Sequence, residues 1–267
     1  MGIVRKTAIV VPCYNEEKRL RPDEFISFAS NEKSVSFIFV NDGSTDGTSG
    51  VLKKLIETNP AQFSSVELKS NSGKAEAVRR GFLKAVKDDF DYIGFWDADL
   101  ATPLQCVRDF ISIMDSGKDL VIGSRVKLLR RDIQRRPARH YLGRIFATIV
   151  SVILKLPVYD TQCGAKLFRR NSSLEAAMSV PFHVKWTFDV ELLGRLSLLE
   201  EAAGRSASII QGKWVEFPLP SWEEVRGSKV RGSDFARSGV ELLRLMSFFY
   251  TGSGRKRYLK DLTKNRR

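Results

Sequence analysis

Residues 92–99 read Tyr-Ile-Gly-Phe-Trp-Asp-Ala-Asp, a short apolar run that ends directly on two carboxylates. A run of this length without polar alternation marks a strand buried on both faces of a sheet. The same construction recurs at Thr7–Pro12, Val35–Val40, Val66–Lys69 and Leu120–Gly123, each followed by a turn and an amphipathic segment. Buried strands alternating with helices predict an α/β fold, a mostly parallel sheet flanked by helices on both faces. Ligands of such sheets sit at the carboxyl ends of the strands, so the polar residues just after each run carry the chemistry.

Four of those ends are unusual. The first runs into Pro12-Cys13-Tyr14-Asn15-Glu16-Glu17 and the second into Asn41-Asp42-Gly43-Ser44-Thr45-Asp46. Asn71-Ser72-Gly73-Lys74-Ala75 opens a helix, and Asp97-Ala98-Asp99 closes the run that opened this section. One sheet edge gathering Glu16, Asp42, Asp97 and Asp99 concentrates negative charge, which is costly without a cation or a donor-rich ligand. The period of two in a strand would set Asp97 and Asp99 on one side, where the pair suits Mg2+ or Mn2+ and leaves positions open for phosphates. The plain alternative for an isolated Asp-x-Asp is a helix cap before Thr102-Pro103. No G-x-G-x-x-G follows the first strand and no G-x-x-x-x-G-K-[ST] is present, so phosphates must be met by a metal and basic side chains.

Composition narrows the class further. The chain has 267 residues, 43% hydrophobic and 28% charged, which excludes wholesale disorder and coiled coil. Its three cysteines, Cys13, Cys106 and Cys163, lie far apart, which favours a reducing compartment. Two histidines leave little scope for zinc. The net charge of +13 resides in residues 125–144 and 255–267. Such basic segments suit an anionic membrane or phosphate partner. Nucleic acid is not expected, because the arginines adjoin an apolar helix and the acidic strand ends would repel a phosphate backbone.

After Arg125 the pattern changes to a basic helical stretch through Lys155, an extended piece near Tyr159–Arg170, helices near Ser172–Met178 and Thr187–Ala203, a strand near Trp214–Pro218 and a last helix at Phe235–Tyr250. Leu142, Ile145, Phe146, Ile149, Ile153 and Leu156 follow helical spacing behind Arg131, Arg135 and Arg139. This segment reads either as a core helix or as a basic amphipathic helix lying on a bilayer. No secretory leader is expected, since the first apolar run stops at Asn15-Glu16-Glu17, and Ile145–Leu154 is too short to span a membrane. The glycine-rich, basic residues 225–233 read as a mobile loop or as an exposed linker.

The ordered set of strand-end motifs, with Gly123-Ser124-Arg125, resembles the family 2 glycosyltransferases of the GT-A fold. Asp160-Thr161-Gln162-Cys163-Gly164-Ala165-Lys166, Trp186-Thr187-Phe188-Asp189-Val190-Glu191, Pro220-Ser221-Trp222-Glu223 and Gly227-Ser228-Lys229-Val230 are similar to the dolichyl-phosphate glucosyltransferase branch, related to dolichyl-phosphate mannose synthases. Ala165 stands where that branch carries Phe, and no stretch here matches its amino-terminal membrane anchor.

The resemblance implies a single GT-A domain over 1–250, with a nucleotide-sugar half at 1–130, an acceptor half at 131–250 and a basic tail at 251–267. It implies inverting transfer of a hexose, from UDP-glucose, to a polyprenyl or dolichyl phosphate, with GDP-mannose or a hydroxyl acceptor as the alternatives. Pro12, Tyr14, Asn15, Glu16, Asp42, Ser44, Gly73, Lys74, Asp97, Ala98, Asp99, Arg125, Ser228 and Lys229 would hold the donor, Asp97 and Asp99 its Mg2+ or Mn2+. Arg131, Arg135 and Arg139 would meet the acceptor phosphate and the membrane; Asp160, Asp189 and Glu191 are rival catalytic carboxylates, Asp160 needing an arginine partner such as Arg139 or Arg131. The expected setting is the cytoplasmic face of a membrane, held peripherally, with self-association allowed.

Overall fold

In the computed structural model, residues 5–134, 137–223, 225 and 232–264 are described. The first half builds β1 (Thr7–Cys13), α1 (Pro22–Asn31), β2 (Val35–Asn41), α2 (Thr48–Thr58), β3 (Phe63–Glu67), α3 (Lys74–Lys87), β4 (Tyr92–Trp96), α4 (Cys106–Asp115) and β5 (Leu120–Ser124). The second half adds β6 (Asp132–Gln134), α5 (Pro137–Leu154), β7 (Ala165–Arg169), α6 (Ser172–Ser179), α7 (Phe188–Ala202), α8 (Ala207–Lys213), β8 (Trp214–Pro218), β9 (Ser221–Glu223), α9 (Gly232–Phe249) and α10 (Gly252–Lys264).

The main sheet runs β3-β2-β1-β4-β7-β5-β8, and only β7 is antiparallel to its neighbours. Alternate residues of each strand enter opposite cores. Ala8, Val10, Ile93 and Phe95 face one cluster with α3, α6 and α7. Ile9, Val11, Tyr92 and Trp96 face the other with α1, α2 and α4. Double burial is why the strands lack polar alternation. Phe25, Phe37, Phe39 and Phe63 meet edge-on at ring separations of 5.1–6.0 Å and fix α1 on the β2–β3 edge.

Four expectations need correction. The third strand occupies Phe63–Glu67 rather than 66–69, since Phe63 is the residue that reaches the aromatic cluster. Part of the basic stretch before α5 is β6, which pairs with β9 in a separate two-stranded ribbon. The last helix of the domain begins at Gly232, ahead of Phe235. Residues 252–264 are not an extended tail: they form α10, which buries Tyr258 and Leu262 against α7 and α9.

Candidate active site

The ends of β1 and β2 are locked together by short polar side chains. Asn15 has a left-handed backbone (φ 50°); its N–H donates to Ser44 Oγ at 3.0 Å and its Oδ1 accepts the Thr45 N–H at 2.8 Å. The Glu16 N–H donates to Thr48 Oγ1, while its carboxylate accepts the Arg19 guanidinium. Pro12 and Tyr14 lie half-buried beside them. Asp42 is buried, and its two oxygens accept the Ser72 and Gly73 N–H groups at 2.7 and 2.8 Å. Burial pushes the Asp42 carboxyl up despite those bonds. Gly43 (φ 64°) allows this approach, because a Cβ there would stand 2.5 Å from the Ser70 carbonyl carbon.

The strand carrying Asp97 and Asp99 stops at Trp96. A turn, not the pleat of a strand, therefore brings the two carboxylates together: the Leu100 N–H donates to the Asp97 carbonyl, and Leu100 takes φ 53°. Ala98 is buried between them. Asp97 Oδ1 meets Lys74 Nζ at 2.5 Å, at the start of α3. Burial opposes the Lys74 charge, but Asp97 and Asp189 more than offset it and hold the ammonium above its usual range. Burial, and then the charge of Asp97, pushes the Asp99 carboxyl up. The segment before β7 closes the turn from the other side, where the Asp97 N–H donates to the Gly164 carbonyl. A Cβ at Gly164 would lie 1.8 Å from Asp97 Oδ2.

Asp160 lies at the start of that segment. Arg125, which follows β5 directly, is a partner: its N–H, Nε and Nη2 all donate to the Asp160 carboxylate at 2.7–3.0 Å. Burial disfavours the guanidinium charge, yet Asp160 holds its pKa above the ordinary value. The other face of Arg125 covers the Trp222 ring at 5.3 Å. Glu216 of β8 accepts the Tyr159 and Asp160 N–H groups, both at 2.8 Å, fixing this loop from beneath. Thr161 Oγ1 and Gln162 Nε2, next along the loop, are buried without a partner among the described residues.

Asp189 and Glu191 part company. Asp189 is buried, and its Oδ1 accepts the wholly buried Lys166 ammonium at 2.5 Å; Lys74 also feels its charge. Glu191 is wholly buried, and its carboxylate accepts the His183 and Val184 N–H groups ahead of α7, the Arg195 guanidinium of α7 and the Tyr258 hydroxyl of α10, a structural role in place of the catalytic one expected. Arg131 lies where its charge acts on the Cys106 thiol, on the α4 side of the sheet. Arg135, Ser228, Lys229 and the side chain of Arg139 lie outside the described residues. Sequence reasoning passed over Arg19, Gly164, Lys166 and Glu216. Only Lys166, a cation set among the apolar residues of β7, carried a local signal.

Among the described residues no group of three or more His, Cys, Asp or Glu side chains converges on one point. Two neighbouring carboxylates, one made harder to ionise by the other, still fit a hard divalent cation, which binds through one or two carboxylates and completes its shell with water and substrate phosphates.

A parallel sheet carrying one reversed strand, with acidic turns and paired cations along its carboxyl edge, has the architecture of the GT-A glycosyltransferases. The chain belongs to glycosyl transferase family 2, whose sequence profile matches residues 8–175. It is 33% identical to the dolichyl-phosphate beta-glucosyltransferase of Saccharomyces cerevisiae over 246 residues, covering 84% of this chain and 68% of that one. The corresponding Homo sapiens protein is 30% identical over 269 residues, 94% of this chain and 78% of the other. Among solved structures, glucosyl-3-phosphoglycerate synthase from Mycobacterium tuberculosis in complex with UDP superposes with a TM-score of 0.60 at 17% identity, over 91% of this chain and 79% of that one. A mannosyltransferase from Pyrobaculum calidifontis in complex with GDP-Man and Mn2+ superposes with a TM-score of 0.59 at 16% identity, over 90% and 63%.

Proposed function

We propose that this glycosyltransferase moves glucose from UDP-glucose to the phosphate of a dolichol-type polyprenol, in one displacement that inverts the anomeric centre. The carrying observation is that both candidate catalytic carboxylates are already committed to cations, Asp160 to Arg125 and Asp189 to Lys166. A hydroxyl acceptor needs a free general base; a phosphate monoester does not, because its second pKa is about 6 and its attacking oxygen is largely ionised at neutral pH. The relatives named for dolichyl phosphate span both halves of the chain, which supports the same reading.

In this account the β1 and β2 ends hold the nucleoside, with Asp42 fixing the Ser72–Gly73 backbone against it. Mg2+ or Mn2+ held by Asp97 and Asp99 supplies, when bound, positive charge to the leaving diphosphate. Lys74 keeps its proton beside that turn and orients Asp97. Arg125, held by Asp160, offers a fixed guanidinium to the acceptor phosphate or to the diphosphate. Its immobilisation means little reorganisation is needed as charge develops. No helix among the described residues is long and apolar enough to cross a membrane. In our reading α5, which exposes Ile145, Ile149 and Val152, rests peripherally on the cytoplasmic face, a location that suits its three buried cysteines, none of them in a disulfide.

The test is transfer from labelled UDP-glucose or GDP-mannose to dolichyl phosphate, dolichol or a soluble sugar alcohol. UDP-glucose with dolichyl phosphate should react best, at a rate that rises with pH through about 6 as the acceptor ionises. Transfer to the alcohols alone would refute the proposal.

A further inference from the structure

The structure exposes a second apolar helix face, which the sequence reading did not single out. Val240 and Leu243 of α9 are 70% and 65% exposed, and Met246 and Tyr250 follow them along the same side. Their neighbours Leu242, Leu245 and Phe249 face the core, so this is an outward strip and not a loosely packed interior. Helix α9 packs beside α5, and Lys155, just past α5, covers the Tyr250 ring, just past α9, at 5.9 Å. The two helices therefore end side by side, and α5 also exposes Ile149 and Val152 ahead of that junction.

The charge along this face is mostly positive; the side chain of Asp234, near the start of α9, lies outside the described residues. Over residues 143–155 and 237–250 the cations are Arg144, Lys155, Arg237 and Arg244, and Glu241 is the one acid. Glu241 is spent on the backbone: its carboxylate accepts the N–H groups of Lys185, Trp186 and Thr187 and the Thr187 hydroxyl. Arg144 donates to the Tyr159 hydroxyl and Arg244 to the His183 carbonyl, both neutral acceptors that leave the positive charge in place.

We infer that α9 and α5 together form a docking surface for an anionic lipid bilayer, with α9 lying in the interface as a lipid-contacting helix in its own right. Contiguous exposed apolar surface marks an interaction site, and apolar burial combined with basic residues is the pairing that holds a protein reversibly on acidic headgroups. A second copy of the chain is the weaker occupant, since two such faces would bring like charges together. The inference deepens the lipid-acceptor reading and rests on it for its purpose, but vesicle binding is measured without any sugar transfer. A chain that binds vesicles and fails to glycosylate dolichyl phosphate would refute that reading alone.

The experiment is co-sedimentation of the full chain with vesicles of phosphatidylcholine, with and without phosphatidylserine, comparing wild type with the double variant L243E/M246E. Wild type should prefer the phosphatidylserine vesicles, and the preference should fade with added salt. The double variant should bind them at least about tenfold more weakly, with its sedimentation coefficient and its UDP-glucose-induced thermal shift unchanged. Wild-type binding by the variant, equal binding to neutral vesicles, or a change of oligomeric state with vesicle binding intact would each overturn the inference. Should the double variant misfold, Leu243→Trp with brominated lipids gives a second reading: its added fluorescence must be quenched, and an unquenched signal overturns the proposal.

Discussion

Gly164 is the residue on which the acidic turn most depends, and it bears no functional group. Its Cα faces Asp97 so closely that Gly164→Ala must displace the carboxylate or the loop. The expected outcome is at least about tenfold weaker donor binding by calorimetry, with a stability loss confined to the ~1–3 kcal/mol of a local overpacking. Glu191 makes the opposite kind of prediction, on stability alone. Although burial works against its charge, bonds from His183, Arg195 and Tyr258 hold its carboxyl at about 2, below its ordinary value of 4.5. Its folded pKa is depressed, so the stabilisation is complete above about pH 4.5 and is lost as pH falls toward 2. Acid titration followed by Tyr258 fluorescence or α10 proteolysis should show this loss, and Glu191→Gln should flatten it.

At this scale the sequence was readable where a polar side chain sits at a strand end. Asp42, Asp97 and Asp99 were found because a buried run must stop before a carboxylate. Arg19, Gly164 and Glu216 act through partners remote in sequence or through the absence of a side chain, and no local pattern announces either. Arg125 as a partner of Asp160 was missed for the same reason. A need for an arginine was evident, but which arginine depended on β5 and the 160–164 loop meeting in space.

Among the elements, a parallel sheet followed directly from the doubly buried strands, whereas the reversal of β7 did not. Its direction is set by the route of the chain after α5, and Ala165–Arg169 would look the same pointing either way. The Asp97–Asp99 pair was expected on one side from strand periodicity, whereas a turn after Trp96 sets the two residues. Helix α10 was concealed by its charge: Tyr258 and Leu262 are one helical turn apart, but seven cations in the last thirteen residues read as a solvated tail. The bond set of Glu241 joins two elements in a way that can be measured. Glu241→Ala should free the amides of 185–187 ahead of α7, raising their hydrogen exchange and lowering stability by about 1–2 kcal/mol, the scale of a lost helix cap. Unchanged exchange at those amides would show that the contact is not formed in solution.

For the whole molecule, the charge excess divides the surface by task. An acidic turn flanked by Lys74 and Arg125 occupies the carboxyl edge of the sheet, and α5 and α9 expose apolar strips among basic residues. In the function proposed above, such a division would let a charged nucleotide approach from water while an acceptor tail stays in lipid. The central claim is that the Asp97–Asp99 turn binds the donor through a divalent cation. The most direct test is the melting temperature of wild type and Asp99→Asn with UDP-glucose, UDP-galactose or GDP-mannose, each with and without Mn2+, since a ligand specific to the native state stabilises in proportion to its saturation. UDP-glucose with Mn2+ should raise the wild-type melting temperature most, and the rise should vanish in Asp99→Asn or with a chelator. A shift from none of the three, or one of equal size without the metal and in the variant, would contradict the account.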